Sequence, residues 1–293
     1  MSKRFVWIIP SSLAIVVLVW LIATRLPRHV ATHPCEMDVL DIGQGDSILF
    51  QTPDHHQILI DGGPGASVID ALARRMPMGD HDIDLVILTH TDADHLSGLV
   101  SVLQHYRVMS VLTTGVRVNT AIFHSWEKEV AATKPRIIHA QRGVEVTIGQ
   151  DFDFHELWPD TNLDGVLWTA KGANGVGGTN DTGVAGRVTC AGSTAMMTAD
   201  ISGVVEDALA LHPEEVRSAV LKVAHHGSHF SSTTTFLKTV DPKLAVISVG
   251  KKNTYGHPSP STLDRLERLG IPYRRTDLEG DIILRSDGNG GWK

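Results

Sequence analysis

The apolar run Ile87-Leu88-Thr89 reads as the end of a buried strand, and it stops at His90-Thr91-Asp92-Ala93-Asp94-His95. Leu96, Leu99, Val100 and Leu103 follow at helical spacing. A chain with this stretch must place a turn crowded with imidazole and carboxylate between a strand end and a helix start, where open sheets commonly carry functional groups. Successive turn residues point in different directions, so His90 with Asp92 and Asp94 with His95 can address two neighbouring cations. Two such ions would polarise a phosphoryl oxygen and activate water at neutral pH. The same residues also permit a plain polar turn with Asp94 capping the helix. Ligands arriving from elsewhere in the chain decide between these readings.

Further strand ends do carry ligand-type residues. Met37 to Ile42, Ser47 to Gln51 and Gln57 to Ile60 alternate as three strands of a meander, joined by Gly43-Gln44-Gly45-Asp46 and Pro53-Asp54-His55-His56. Ala66 to Arg75, His95 to Tyr106 and Thr120 to Ala132 have helical spacing. Asp84 to Thr89 and Val108 to Thr113 read as strands, and Arg136 to Leu157 as two or three more. Pro159 to Gly183 is too long and too rich in Gly, Asn, Asp and Thr for a routine connection. Strands Val184 to Thr189 and Ser193 to Thr198 then end at Ala199-Asp200. Helix Val204 to Leu211 follows, and strand Ala219 to Ala224 ends at His225-His226-Gly227-Ser228-His229. Asp200 is placed to bridge two ions, and a histidine of the third strand end to complete one shell. Strand Leu244 to Val249, helix Thr262 to Leu269 and strands near Tyr273 and Ile282 to Leu284 close the chain.

The 293 residues, 42% of them hydrophobic, suffice for one sizeable core. A formal net charge of −7 argues against a surface built wholesale for nucleic acid. Residues 218–275 nevertheless hold nine Lys and Arg against three Asp and Glu. If they surround the His225-His226 edge, the active face is locally basic, with Lys251 and Lys252 as candidate substrate contacts or, equally simply, solvated loop residues. Cys35 and Cys190 are too few for a disulfide framework and read as unpaired core thiols, with one bridge in an oxidising compartment as the alternative.

Phe5 to Thr24 carry no charge, long enough to cross a bilayer as a helix despite Pro10. Lys3 and Arg4 precede the run and no good cleavage site follows, which favours a signal anchor over a cleaved signal. The expectation is an N-terminal transmembrane segment over 1–30 and a catalytic domain over 31–293, extracytoplasmic on a single-pass anchor, or secreted if the segment is cleaved.

From Asp38 to Asp287 the chain resembles the metallo-β-lactamase fold superfamily, and within it the hydrolase domain of ComEC-like DNA-uptake proteins. The resemblance rests on Leu40-Asp41-Ile42-Gly43-Gln44-Gly45-Asp46, Leu59-Ile60-Asp61-Gly62-Gly63, the His90 to His95 motif, Thr198-Ala199-Asp200, Leu221-Lys222-Val223-Ala224-His225-His226-Gly227-Ser228 and Tyr255-Gly256-His257-Pro258. It implies an α/β fold, a four-layer αββα sandwich, with a two-metal site at one edge. By that pattern His90 and Asp92 hold one ion, Asp94 and His95 the other, Asp200 bridges and His226 completes a shell. Asp94, His225 and His257 are then the candidate catalytic residues, with His225 a proton donor or phosphate contact. Asp61 would orient the His90 loop.

Two departures bear on the chemistry. Asp92 stands where the superfamily usually has His, and the region of its third histidine motif reads Gly178-Thr179-Asn180-Asp181-Thr182. Asp181 is a candidate substitute or substrate contact, or a solvated turn residue. A shell poor in imidazole leaves zinc and manganese both open. With the charge-free N-terminal run, the resemblance thus implies an exported, membrane-tethered, dinuclear phosphodiesterase acting on DNA, which either works beside a separately encoded uptake channel or has no link to competence. The alternatives are a hydrolase of small phosphoesters, such as phosphocholine-bearing components, and a non-catalytic DNA-binding accessory module.

Overall fold

A computed structural model describes residues 33–168 and 179–293 of the chain. The expected N-terminal transmembrane segment lies outside these residues. Among the described ones, no helix is long and apolar enough to cross a membrane.

Two seven-stranded sheets pack face to face. The first contains β1 (Glu36–Val39), β2 (Ile48–Gln51), β3 (Gln57–Ile60), β4 (Asp82–Leu88), β5 (Arg107–Thr113), β7 (Arg136–His139) and β16 (Ile282–Arg285), in the order β16-β1-β2-β3-β4-β5-β7. The second contains β8 (Glu145–Ile148), β9 (Phe152–Trp158), β11 (Ala185–Cys190), β12 (Ser193–Met197), β13 (Val220–Lys222), β14 (Leu244–Ile247) and β15 (Tyr273–Arg275), in the order β15-β14-β13-β12-β11-β9-β8. A small parallel pair, β6 (Arg117–Val118) with β10 (Leu167–Trp168), stands apart. The expected meander is present: β1 to β3 pair antiparallel. From β3 through β5 to β7, and from β12 through β14 to β15, the pairing is parallel.

Period-2 alternation decides which side chains face which layer. Met37, Phe50, Ile58, Leu85 and Ile87 of the first sheet meet Phe152, Phe154, Val188, Val220 and Val246 of the second in the inter-sheet core. Their sequence neighbours Leu59, Val86 and Leu88 point outward and pack under the helices Ser67–Arg75, Ala93–His105 and Ala121–Thr133. Leu221, Ala245 and Ile247 do the same under Gly203–Leu209, Thr234–Val240 and Pro260–Arg268. The result is the four-layer αββα sandwich. Parallel strands covered on both faces explain the near-continuous apolar runs. Because β3 and β4 run parallel to each other in the first sheet, and β12, β13 and β14 do so in the second, the loops after them collect at one edge.

The cysteines depart from the sequence expectation. Cys35, just before β1, and Cys190, the last residue of β11, form a disulfide with Cα atoms 6.0 Å apart. It ties one sheet to the other across the inter-sheet core. Their separation of 155 residues conceals the pairing; only the packing of the two sheets brings them together.

Candidate metal centre

The edge is assembled from tight turns. In the Gly43–Asp46 loop, a Cβ on Gly45 would lie 2.1 Å from the Asp94 carbonyl oxygen, so only glycine lets this loop lie against the ligand turn. Asp61, Ala199, His225 and His226 all adopt the left-handed backbone region, with φ of 58°, 44°, 49° and 53°. Non-glycine residues rarely sit there, and such strain collects at functional sites. Each of these turns directly follows a strand of the parallel part of its sheet and turns a polar side chain toward the edge.

Asp94, His95, Asp200 and His226 converge, with one candidate donor atom from each lying within 4.8 Å of the others. His226 Nε2 lies 3.4 Å from Asp200 Oδ2 and 3.5 Å from Asp94 Oδ2, and His95 Nε2 lies 3.5 Å from Asp200 Oδ2. The Nε2 atoms of His90, His95 and His226 and Oδ1 of Asp200 are all buried without a hydrogen-bond partner. Three orphaned donors in the convergent group, with the His90 ring centroid 4.1 Å from that of His95, fit a divalent cation, because unpaired buried polar atoms are otherwise costly. The opposite ring nitrogens are each engaged: His95 Nδ1 by Asp61 Oδ2 at 2.7 Å, His226 Nδ1 by the Ser248 carbonyl at 2.9 Å and His90 Nδ1 by Thr89 Oγ1 at 3.0 Å. That partnering presents Nε2 outward, the arrangement of ligating imidazoles.

Electrostatics favour the same reading. Burial opposes charge on Asp200, yet His226 and His95 outweigh it and hold its carboxyl well below the usual range. Burial likewise opposes protonation of His95 and His226. Asp200, joined by Asp61 for His95 and by Asp46 for His226, drives both well above the ordinary imidazole value. The pocket therefore attracts positive charge, and an entering cation competes with protons. Behind His226, Asp46 is buried and pairs with the buried Lys222 at 2.8 Å.

The His90 half is more open. His90 Nε2 lies 3.8 Å from Asp92 Oδ2, and the Asp92 side chain is 40% exposed. The Thr179 hydroxyl donates to Asp92 Oδ1 at 2.5 Å. A cleft of about 120 Å³ opens over the cluster, bordered by Gln44, Asp92, Asn180, His225, Tyr255 and His257. The His257 backbone is held by Asn253, whose side chain accepts from its N–H and donates to its carbonyl. Burial first, then the charge of His225 and His226, pushes the His257 imidazole down to about 4. It is therefore neutral near pH 7.

The remaining sequence candidates are placed as follows. Asp61 accepts from the Thr89 amide at 2.8 Å and hydroxyl at 2.6 Å as well as contacting His95, so it braces both ends of the ligand turn. His226 lies inside the cluster, whereas His225 stands in the cleft wall beside the Asn180 amide. Asp181 points away from the cluster, its carboxylate accepting from the Ser202 amide at 2.8 Å and hydroxyl at 3.0 Å. Lys251 and Lys252 are exposed and do not border the cleft. The basic stretch does not surround the cleft either. Among the described residues no Lys or Arg borders it; Lys222 is consumed by Asp46, Arg274 by Glu279 and Arg275 by Asp277. Sequence reasoning assigned no role to Gln44, Asp46, Asn180, Lys222 or Tyr255. All but Asn180 lie in the motifs that carry the resemblance, which was the available signal.

A model of the metallo-beta-lactamase superfamily matches residues 40–251. The chain is similar to ComE operon protein 3 of Bacillus subtilis, 30% identical over 285 residues that cover 86% of this chain and 34% of that protein. It is also similar to competence protein ComA of Neisseria gonorrhoeae, 27% identical over 281 residues, covering 96% of this chain and 36% of that protein. The chain therefore spans about a third of the length of these relatives. Among solved structures, the metallo-beta-lactamase fold protein YhfI of Bacillus subtilis matches with a TM-score of 0.56 at 14% identity, over 86% of this chain and 100% of that one.

Proposed function

The chain belongs to the metallo-beta-lactamase superfamily, and we propose that it is a two-metal phosphodiesterase acting on nucleic acid, exported and held at the membrane by residues 1–30. The observation that carries the reading is the set of orphaned donors, three imidazole Nε2 atoms and one Asp200 oxygen, beneath an open cleft. Asp94, His95 and His226 would hold one divalent ion, His90 and Asp92 the other, and Asp200 would bridge. When bound, such ions supply a Lewis acid for the phosphoryl oxygen and acidify the attacking water.

The chain's own groups supply the rest. Asp61 and Ser248 orient His95 and His226 through their Nδ1 atoms. His257, neutral near pH 7, and His225 flank the cleft and offer N–H groups to phosphate and leaving-group oxygens. With no Lys or Arg among the described residues at the cleft, phosphate charge would be met by bound ions and by these histidines. The relative named competence protein ComA supports nucleic acid as the substrate class. The disulfide supports export of the domain spanning 31–293, since such bonds persist in oxidising compartments.

The test compares hydrolysis of single-stranded DNA, bis(4-nitrophenyl) phosphate and a phosphocholine ester by the full chain, stripped of metal and reloaded with zinc or manganese. DNA cleavage that disappears in Asp200→Ala is expected. Turnover confined to the small esters would replace nucleic acid with a small phosphoester, and DNA retention without turnover under either metal would leave a binding module.

A further inference from the structure

Among the described residues, only two of the Phe, Tyr and Trp side chains are exposed, Phe230 at 70% and Tyr255 at 70%. Both stand beside the metal cluster, on different cavities. Tyr255 borders the cleft over the cluster and stacks on His257, with ring centroids 5.9 Å apart and planes 26° from parallel. Phe230 borders a second groove of about 530 Å³, which shares Asn180, Asp200 and His225 with the cleft and adds the exposed Val204. The Phe230 ring lies against His229, and its carbonyl accepts from the Gly203 amide at 2.8 Å, so its place is fixed by the loop after His226 and the start of the Gly203–Leu209 helix.

Exposed aromatics forfeit hydrophobic stabilisation, and a pair of them confined to one site marks a contact surface. The walls narrow the choice of ligand. Among the described residues no Lys or Arg borders the Phe230 groove, while Asp181 and Asp207 do. Carboxylates repel further phosphates, and the apolar Phe230 and Val204 suit the face of a heterocycle. We propose that Phe230 and Tyr255 are two stacking platforms for unpaired nucleobases on either side of the phosphodiester seated at the cluster. This rests on the phosphodiesterase reading above. Single-stranded nucleic acid is the form that fits, since a base must leave its duplex neighbours to lie on a side-chain ring.

The experiment uses the full chain loaded with the metal that supports turnover. Its substrates are a thymidine pentanucleotide and a pentamer of abasic deoxyribose phosphates of equal charge, compared by kcat/KM with metal content measured in parallel. Wild-type protein should prefer the base-bearing pentamer by about tenfold or more, the scale of one base stacked on an aromatic ring. Phe230→Ala should remove most of that preference at unchanged metal content, and Phe230→Trp should keep it. Equal wild-type rates on the two pentamers overturn the platforms, as does a Phe230→Ala variant that slows both pentamers alike. Hydrolysis of bis(4-nitrophenyl) phosphate without turnover of either pentamer overturns the nucleic-acid reading itself, and the platforms with it.

Discussion

Asp61 Oδ2 lies 2.7 Å from His95 Nδ1, so the carboxylate that ends β3 fixes the orientation of a histidine that follows β4. The contact joins the two neighbouring parallel strands at the edge where the donors meet. Asp61 itself sits at φ 58°, a backbone region that Asn also tolerates. Asp61→Asn therefore keeps the turn and removes the charge. Metal affinity should fall about 10- to 100-fold, with activity recovering in excess metal. Chelator competition monitored by metal release measures this, and an unchanged midpoint would remove Asp61 from the support of the centre.

The two halves of the centre should empty separately. Asp92 is part-exposed and shares one oxygen with Thr179, whereas His95, Asp200 and His226 are buried. Stepwise chelation should release one equivalent before the other. Asp92→Ala should abolish the weaker step and leave the tighter one in place. His226→Ala should lower activity by more than the roughly 100-fold that outer partners of a ligand cost. Metal analysis after each addition reads the outcome; a single step in wild type would contradict separate halves.

Glu156, fully buried on β9, has no hydrogen-bond partner for either carboxylate oxygen. Burial raises its carboxyl from the ordinary 4.5 to about 8. Between those values the unfolded chain releases a proton that the folded protein retains, so stability is fully present below pH 4.5 and falls as pH rises toward 8. The loss approaches roughly 5 kcal/mol at most. Glu156→Gln stays uncharged and should unfold several degrees above wild type at pH 8.5, with the two converging near pH 4.5. Thermal melts across that range give the comparison, and parallel curves would show that Glu156 finds compensation.

The Cys35–Cys190 bridge closes a loop of 155 residues between the sheets. Cys35→Ser with Cys190→Ala should cost about 2–5 kcal/mol. Reductant should lower the denaturation midpoint of wild type and leave that of the double variant unmoved. A reductant-insensitive wild type would mean that the packed core alone holds the sheets together.

Much of the centre was legible because its ligands follow short, strongly apolar strands. The run to Thr89, the run to Thr198 and the run to Ala224 each announce a buried strand, and His or Asp follows each within two residues. Gln44 and Asn180 were not legible in the same way. Gln44 lies in a loop and Asn180 in the short 3-10 turn Thr179–Thr182, where neither periodicity nor burial marks a side chain, and their role depends on which segments happen to abut. The nine basic residues of 218–275 misled for a related reason. Sequence counts charge without its partners, and in the fold Lys222, Arg274 and Arg275 each meet a carboxylate.

The sequence by itself determined the residue types at the centre, the strand ends that bear them and the alternation that makes a two-sheet core, because these follow from local periodicity and turn chemistry. Only the tertiary structure decided that His226 enters the cluster while His225 borders the cleft, that Cys35 meets Cys190 and that the exposed aromatics flank one site. Those relationships join residues from different elements, or depend on how one strained turn is aimed. Sheet register and layer packing set both, and no local pattern encodes them.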